Sequence, residues 1–143
     1  MPFVQSVLTP RPVIRQKILT ILEAALAAVD PKGAVHAVLQ RSGDHLTIQE
    51  RHYNLADFKR VFIIGAGKAG APMTQAVEAL LGDHITTGLV VVKTAHAGPT
   101  THVEIAEASH PMPDEAGAAA GRRMLDLAAQ ATADDLVIAL LSG

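Results

Sequence analysis

The stretch "RVFIIGAGKAG" at residues 60–70 runs an uninterrupted apolar segment into a turn that contains three glycines. Such an apolar run is typical of a strand that is buried on both faces of a parallel sheet. Gly65, Gly67 and Gly70 follow the spacing G-x-G-x-x-G, which is found where a strand turns into a helix beside a phosphate group. We therefore predict a central strand followed by a helix at about 68–81.

The rest of the chain alternates helical patterns with further apolar runs. This alternation implies right-handed crossovers and a mainly parallel, doubly wound α/β sheet of the Rossmann-like kind, with flanking helices. Ligands bind to such sheets outside the carboxyl ends of the strands. The other predicted elements are helices at about 13–30, from 31 onwards and at 114–131, a turn at 41–44, an edge strand with one wet face at 45–52, and buried strands at 88–93, 101–108 and 134–141.

A length of 143 residues favours a single domain that can bury a core without disulfides or a structural metal. The net charge of -2 gives no electrostatic reason to expect a nucleic acid or an anionic membrane as partner, and no apolar run approaches the length of a membrane span. The absence of cysteine excludes disulfides and thiolate metal ligands, and it agrees with a reducing cytoplasm. Because the histidines show no metal-like spacing either, we predict a cytoplasmic protein whose own side chains hold no metal.

Lys68 lies inside the glycine-containing turn, at the start of the predicted helix. Free N–H groups at a helix N-terminus attract anions, and a lysine there opposes the helix dipole unless an anion is near. The dinucleotide fingerprint expects an acidic residue about 20 positions further on, but "VVVKTAH" at 90–96 has none, and its Lys93 could meet only a 2′-phosphate. A Walker loop needs its lysine after the last glycine, and Lys68 precedes Gly70. Lys68 is thus an anion-site candidate that fits neither motif, while a packing role for the glycines and a solvated lysine stay open.

Two more polar segments follow predicted strands. In "SHPMPDEAG" at 109–117, Asp114 suits the N-cap of the next helix, and capping alone could explain it. His110 could bind an anionic substrate, act as an acid or base, or simply be solvated. The last strand runs into Ser142 and Gly143. We treat these four residues, together with the three glycines of the turn, as candidate binding residues for nucleotide or substrate.

Three strings carry a family resemblance when they are taken together, namely "GAGKAGAPM", "ASHPMPDEAG" and "LVIALLSG". In order and spacing they resemble the glycerate 2-kinases of the MOFRL type, from about residue 13 onwards. Members of that family are often labelled hydroxypyruvate reductases. The resemblance implies phosphorylation of D-glycerate to 2-phosphoglycerate with ATP and magnesium. It also implies that Lys68 is the catalytic residue, acting electrostatically on the phosphoryl group or on the glycerate carboxylate.

The same resemblance predicts an incomplete domain. Family members are much longer, they continue with a glycine-rich "SGGGSA" loop after the last strand seen here, and their active site lies between a large and a smaller domain. This sequence departs from the pattern after Ser142 and Gly143. We therefore expect residues 1–143 to be the amino-terminal part of the large α/β domain, with the second domain absent, no activity alone, and an exposed sheet edge that invites self-association into a homo-oligomer.

Two other functions compete with the kinase. An NAD(P)-dependent hydroxypyruvate reductase depends on the G-x-G-x-x-G spacing alone and predicts oxidation of NADH or NADPH. A non-catalytic module that binds phosphate compounds would keep the anion site, and it would bind its ligand as tightly in 143 residues as in a longer chain.

Overall fold

A computed structural model describes residues 11–143, which form one parallel sheet, one small antiparallel sheet and four helices. The helices are α1 (Pro12–Ala28), α2 (Pro31–Val38), α3 (Gly70–Leu81) and α4 (Glu115–Ala128), and a 3-10 turn spans Leu55–Asp57. The strands are β1 (Leu39–Ser42), β2 (His45–Ile48), β3 (Arg51–Asn54), β4 (Arg60–Ala66), β5 (Ile85–Lys93), β6 (Val103–Ala108) and β7 (Asp135–Leu141).

The parallel sheet has the strand order β6-β5-β4-β7. The crossover from β4 to β5 through α3 and the crossover from β6 to β7 through α4 step in opposite directions along this sheet. Right-handed crossovers of opposite direction place their helices on opposite faces. The α/β prediction with a parallel sheet is therefore confirmed, and the order is that of the first four strands of a doubly wound nucleotide-binding sheet.

The main core lies between the sheet and α3, and it also takes in α2 and the antiparallel sheet. Its members include Val61, Ile63, Val90, Val92, Leu136, Ile138 and Leu140 from the strands, and Ala71, Ala76, Val77 and Leu81 from α3. On the other face, α4 packs on β5 and β6 and touches β4. Because α4 stops short of β7, that edge strand is buried on one face only, and Leu141 is 73% exposed. The prediction of a buried strand at 134–141 is therefore correct for one face only.

Residues 39–54 form a three-stranded antiparallel meander in the order β1-β2-β3. The predictions of a turn at 41–44 and of a single strand at 45–52 were wrong in part, because two hairpin turns divide this segment. The first turn centres on Gly43 (φ 60°), and the second places Gln49 in the left-handed region (φ 54°). Because glutamine is not a turn signal, the alternating pattern of 45–52 reads as one continuous strand in the sequence.

Aspartate caps mark the starts of α2 and α4. Asp30 accepts a hydrogen bond from the Gly33 N–H at 2.8 Å, and the proline in the first turn of α2 needs no N–H partner. α3 begins at Gly70 rather than at residue 68, since Gly67 (φ 120°) still belongs to the turn. α4 ends at Ala128 rather than at about 131. Across the described residues 11–143, none of the helices combines the length and apolarity that a bilayer span requires.

A buried carboxylate joins the start of β7 to β4. The Asp135 side chain is 1% exposed and receives Arg60 Nη2–H at 2.7 Å and Arg60 Nε–H at 3.0 Å. The N–H and the hydroxyl of Thr132 also donate to it, each at 2.8 Å. The Arg60 guanidinium, helped by Thr132, holds the pKa of Asp135 well below its usual range. A carboxyl with a lowered pKa stabilises the fold above its unfolded-state pKa of about 4, and this stabilisation is lost as the pH falls further.

We expect Asp135→Asn to lower stability at pH 7 and to reduce the loss of stability between pH 5 and pH 2. The neutral amide keeps the shape of the carboxylate, but it cannot take up the proton that weakens the native protein. Urea unfolding at each pH, followed by circular dichroism, measures both effects. Asp134→Asn is the matched control, because Asp134 pairs with Lys59 at the surface and exposed pairs contribute little. If Asp135→Asn loses as much stability between pH 5 and pH 2 as the unchanged protein, the bond between Asp135 and Arg60 does not stabilise the fold as described.

Candidate active site at the carboxyl edge of the sheet

A crevice of about 450 Å³ lies where β4, β5, β6 and β7 end. Parallel strands bring their carboxyl ends to one edge, and the pairs Ala66–Val91 and Ala66–Leu141 put the ends of three of these strands level. The polar or glycine lining comprises Gly67, Lys68, Lys93, Ser109, His110, Ser142 and Gly143, and the apolar lining comprises Ala66, Val91, Val92, Ala108 and Leu141. Of the predicted site residues, Gly65, Gly70 and Asp114 stand outside this lining.

Gly65 and Gly70 allow close packing of backbone elements. A Cβ on Gly65 would overlap the Leu140 carbonyl of the neighbouring strand β7. A Cβ on Gly70 would lie 2.7 Å from Val90 and 2.9 Å from Val92, so its absence lets α3 approach the sheet. These contacts support a packing role for the first and third glycines of the turn.

Gly67 meets Ser142 across the turn. Its φ of 120° belongs to a region that only glycine adopts without strain, and a Cβ there would overlap the carbonyl and hydroxyl oxygens of Ser142. Its N–H donates to the Val91 carbonyl at 3.0 Å, and the Ala69 N–H donates to Ser142 Oγ at 3.1 Å. The expectation of free N–H groups along this turn therefore needs correction, since the protein itself satisfies these two.

This contact bears on the dinucleotide interpretation. In dinucleotide-binding sheets the second glycine leaves room for the pyrophosphate to approach the backbone. Here the space beside Gly67 holds Ser142 instead. The sequence could not reveal this arrangement, because the two residues lie on turns far apart in the chain.

The crevice is electropositive. Lys68 is exposed, Lys93 is half-buried, His110 is the third basic side chain, and no aspartate or glutamate lines the cavity. Elsewhere in residues 11–143, Arg41, Arg60, Arg123 and Lys59 each pair with a carboxylate. Neither crevice lysine has such a partner among the residues that the structure describes. An arrangement of basic groups without counter-charges is suited to an anionic ligand.

Asp114 organises the turn that carries His110. One carboxylate oxygen accepts the Gly117 N–H at 2.8 Å as the N-cap of α4, and the other accepts the Ser109 N–H at 3.1 Å. The His110–Pro111 peptide bond within this turn is cis. Asp114 therefore acts through the backbone of the turn, which supports the capping interpretation, whereas His110 lines the crevice.

Lys93 lines the crevice but is not among the site residues that the sequence predicts. The signal that could have identified it is its place at the end of "GLVVVK", where a charged residue terminates a buried strand at the ligand-binding edge.

Magnesium does not fit the side chains of this crevice. No group of three or more His, Asp or Glu side chains that could hold a metal occurs within the described part of the chain, residues 11–143. Magnesium prefers carboxylate and phosphate oxygens, and none of the described residues places an aspartate or glutamate side chain in the crevice lining. These residues therefore do not form a metal site of their own.

Comparison with known proteins gives a consistent relationship. Residues 17–143 match the family described as a domain of unknown function, DUF4147. An Agrobacterium vitis protein with the provisional name hydroxypyruvate reductase is 39% identical over 129 residues, which cover 90% of this chain and 26% of that protein. A D-glycerate 2-kinase of Thermotoga maritima is 34% identical over 131 residues, which cover 91% of this chain and 28% of that protein.

Comparison with solved structures agrees with the sequence comparison. A crystal structure of a Pyrococcus horikoshii OT3 protein superposes with a TM-score of 0.79 at 29% identity, covering 91% of this chain and 29% of that protein. The chain thus spans between about a quarter and a third of the length of the proteins it matches.

Proposed function

The chain belongs to the DUF4147 family, and from this premise we propose that it forms part of the active site of a D-glycerate 2-kinase. The reaction transfers the terminal phosphoryl group of ATP to the 2-hydroxyl of D-glycerate, which loses its proton, and yields 2-phosphoglycerate and ADP. The observation that carries the proposal is the crevice at the sheet edge, in which Lys68, Lys93 and His110 meet no carboxylate. Relatives named as glycerate kinases, such as the Thermotoga maritima protein, support the choice of substrate.

Lys68 is the proposed catalytic residue. Phosphoryl transfer spreads negative charge over the equatorial oxygens of the transferred group, so positioning and charge neutralisation supply most of the catalysis. Lys68 stands at the turn before α3, where its ammonium group and the N-terminal end of the helix both favour an anion. Magnesium would enter with the ATP phosphates, since this crevice offers it no carboxylate.

The other predicted residues take supporting roles in this proposal. His110, Ser142 and Gly143 line the crevice, where they would contact nucleotide or substrate. Gly65, Gly67 and Gly70 would shape the turn. Asp114 would hold the His110 turn in place through its bonds to Ser109 and Gly117.

We also propose that residues 1–143 are the amino-terminal part of a larger α/β domain, and that activity needs groups from the region equivalent to the rest of the relatives. An in-line transfer requires donor and acceptor to be held from both sides. The crevice here is open at an edge strand whose outer face is uncovered, with Leu141 73% exposed.

One pair of assays tests the proposal. A chain extended to the length of the relatives is expected to consume ATP in the presence of D-glycerate, and the 143-residue chain is expected to show no measurable activity. The competing reductase hypothesis predicts that NADH or NADPH is oxidised when hydroxypyruvate is added. This oxidation is followed by absorbance. Reductase turnover without ATP consumption would overturn the kinase proposal. Phosphorylation of glycerate by the pure 143-residue chain would overturn the need for a second domain.

A further inference from the structure

We propose that Lys93 binds the carboxylate of the acceptor substrate. Lys93 would then hold glycerate, while Lys68 acts on the phosphoryl group. This inference rests on the proposed function, and it assigns the second lysine of the crevice to the second anionic group that the reaction must hold. The two groups are the phosphoryl group in transfer and the carboxylate of the acid.

The register of the sheet puts Lys93 in line with the other basic residues. Ala66 pairs with Val91, and Lys68 and Lys93 each lie two residues beyond that pair. Lys93 itself pairs with Ala108, and His110 follows two residues later. The three basic residues therefore follow neighbouring strands along one edge, with Lys93 in the middle.

The backbone holds Lys93 in place. Thr94, the next residue, donates its N–H to the Ala108 carbonyl at 3.0 Å, and the Lys93 carbonyl accepts the His96 N–H at 2.9 Å. Ala95 adopts the left-handed conformation (φ 64°) in the turn that follows β5. A non-glycine residue in this region is uncommon and occurs where the surroundings determine the backbone. The lysine thus extends from a fixed position.

The side chain of Lys93 is suited to bind an anion. Side chains alternate between the faces of a strand, and Val92 points into the core beneath α3, so Lys93 points to the opposite face of the sheet. Lys93 is half-buried, it lines the crevice, and no carboxylate accompanies it there. Its ammonium group is therefore available to the carboxylate of a ligand that enters the crevice.

The two lysines can meet one small ligand that carries two anionic groups. Both line the same crevice, and they follow neighbouring strands at the same distance in sequence from the paired residues Ala66 and Val91. Lys68 stands beside the N-terminal end of α3, where the helix dipole favours the more highly charged phosphoryl group, so the carboxylate is left to Lys93. Lys93 would then select a hydroxy acid against an uncharged polyol such as glycerol.

The test separates KM from kcat in the extended chain. Lys93→Met is expected to raise KM for D-glycerate about tenfold or more, because it removes a charged hydrogen-bond donor, while kcat changes less than threefold. Lys93→Arg should restore part of the affinity. Lys32→Met removes the same charge from an exposed position on α2 and should leave both constants unchanged.

Direct binding makes the result independent of turnover. D-Glycerate binding to the extended chain is measured by calorimetry for the unchanged protein and for each variant. Unchanged KM and unchanged glycerate binding in Lys93→Met would overturn the proposal. If the unchanged protein has no kinase activity, the proposed function fails, and glycerate binding alone then decides the role of Lys93. Binding weakened about tenfold by Lys93→Met would support that role, and equal or absent binding would contradict it.

Discussion

Lys68→Met is expected to lower kcat for ATP-dependent phosphorylation of D-glycerate by about a hundredfold or more in a chain extended to the length of the relatives. The methionine keeps most of the aliphatic length but removes the charge that would neutralise the phosphoryl oxygens, and loss of one preorganised donor typically costs a factor of this size. The measurement is steady-state turnover with saturating ATP and glycerate. Unlike Lys93→Met, this change should act mainly on kcat.

Two controls make the Lys68 result interpretable. Lys32→Met, on the exposed side of α2, loses the same charge and should retain full turnover. Thermal unfolding of Lys68→Met should match that of the unchanged protein, because Lys68 is exposed and has no ion pair among residues 11–143. Turnover within a few-fold of normal in Lys68→Met would remove the residue from the catalytic role.

Gly67→Ala is expected to reduce the free energy of unfolding by roughly 3 to 5 kcal/mol, which combines the cost of a strained backbone with the cost of overpacking. At φ 120° an L side chain is strained, and the new Cβ would overlap the carbonyl and hydroxyl oxygens of Ser142. Since many domains have a net stability of only 5 to 15 kcal/mol, part of the population should unfold. Urea denaturation followed by circular dichroism measures the change.

The chain provides a matched control for this substitution. Gly121 lies within α4, and a Cβ there would have no neighbour within 4 Å. Gly121→Ala should therefore stabilise the protein by up to about 1 kcal/mol, the difference in helix propensity. A Gly67→Ala protein as stable as the unchanged chain would show that the turn does not pack against Ser142 as described.

The sequence predicts the parallel sheet well because its strands are long apolar runs. "VFIIG" and "GLVVVK" have the continuous apolarity of strands covered on both faces, and the helices α2 and α4 have clear caps at Asp30 and Asp114. The antiparallel meander is harder to predict. Its strands are four residues each, and the turn at Gln49 has neither glycine nor proline to mark it.

The sequence predicts which residues of the candidate site follow strands, but it does not predict the contacts between them. Placing Lys68, His110 and Ser142 after buried strands is enough to expect them at one edge, since parallel strands end together. The hydrogen bond from the Ala69 N–H to Ser142 Oγ depends on the packing of β4 against β7, and no local pattern encodes it. The half-burial of Lys93 likewise arises from the register of β5 with its neighbours.

Phosphorus NMR of the reaction mixture tests the central claim most directly. D-Glycerate, ATP and magnesium are incubated with the extended chain, and the phosphorylated product is identified by its proton-coupled signal. The account predicts that the signal of 2-phosphoglycerate, which is coupled to a single proton, grows as the terminal phosphate of ATP disappears, and that Lys68→Met suppresses this growth. If ATP stays intact while hydroxypyruvate is reduced at the expense of NADH or NADPH, the crevice does not transfer phosphate and the account is contradicted.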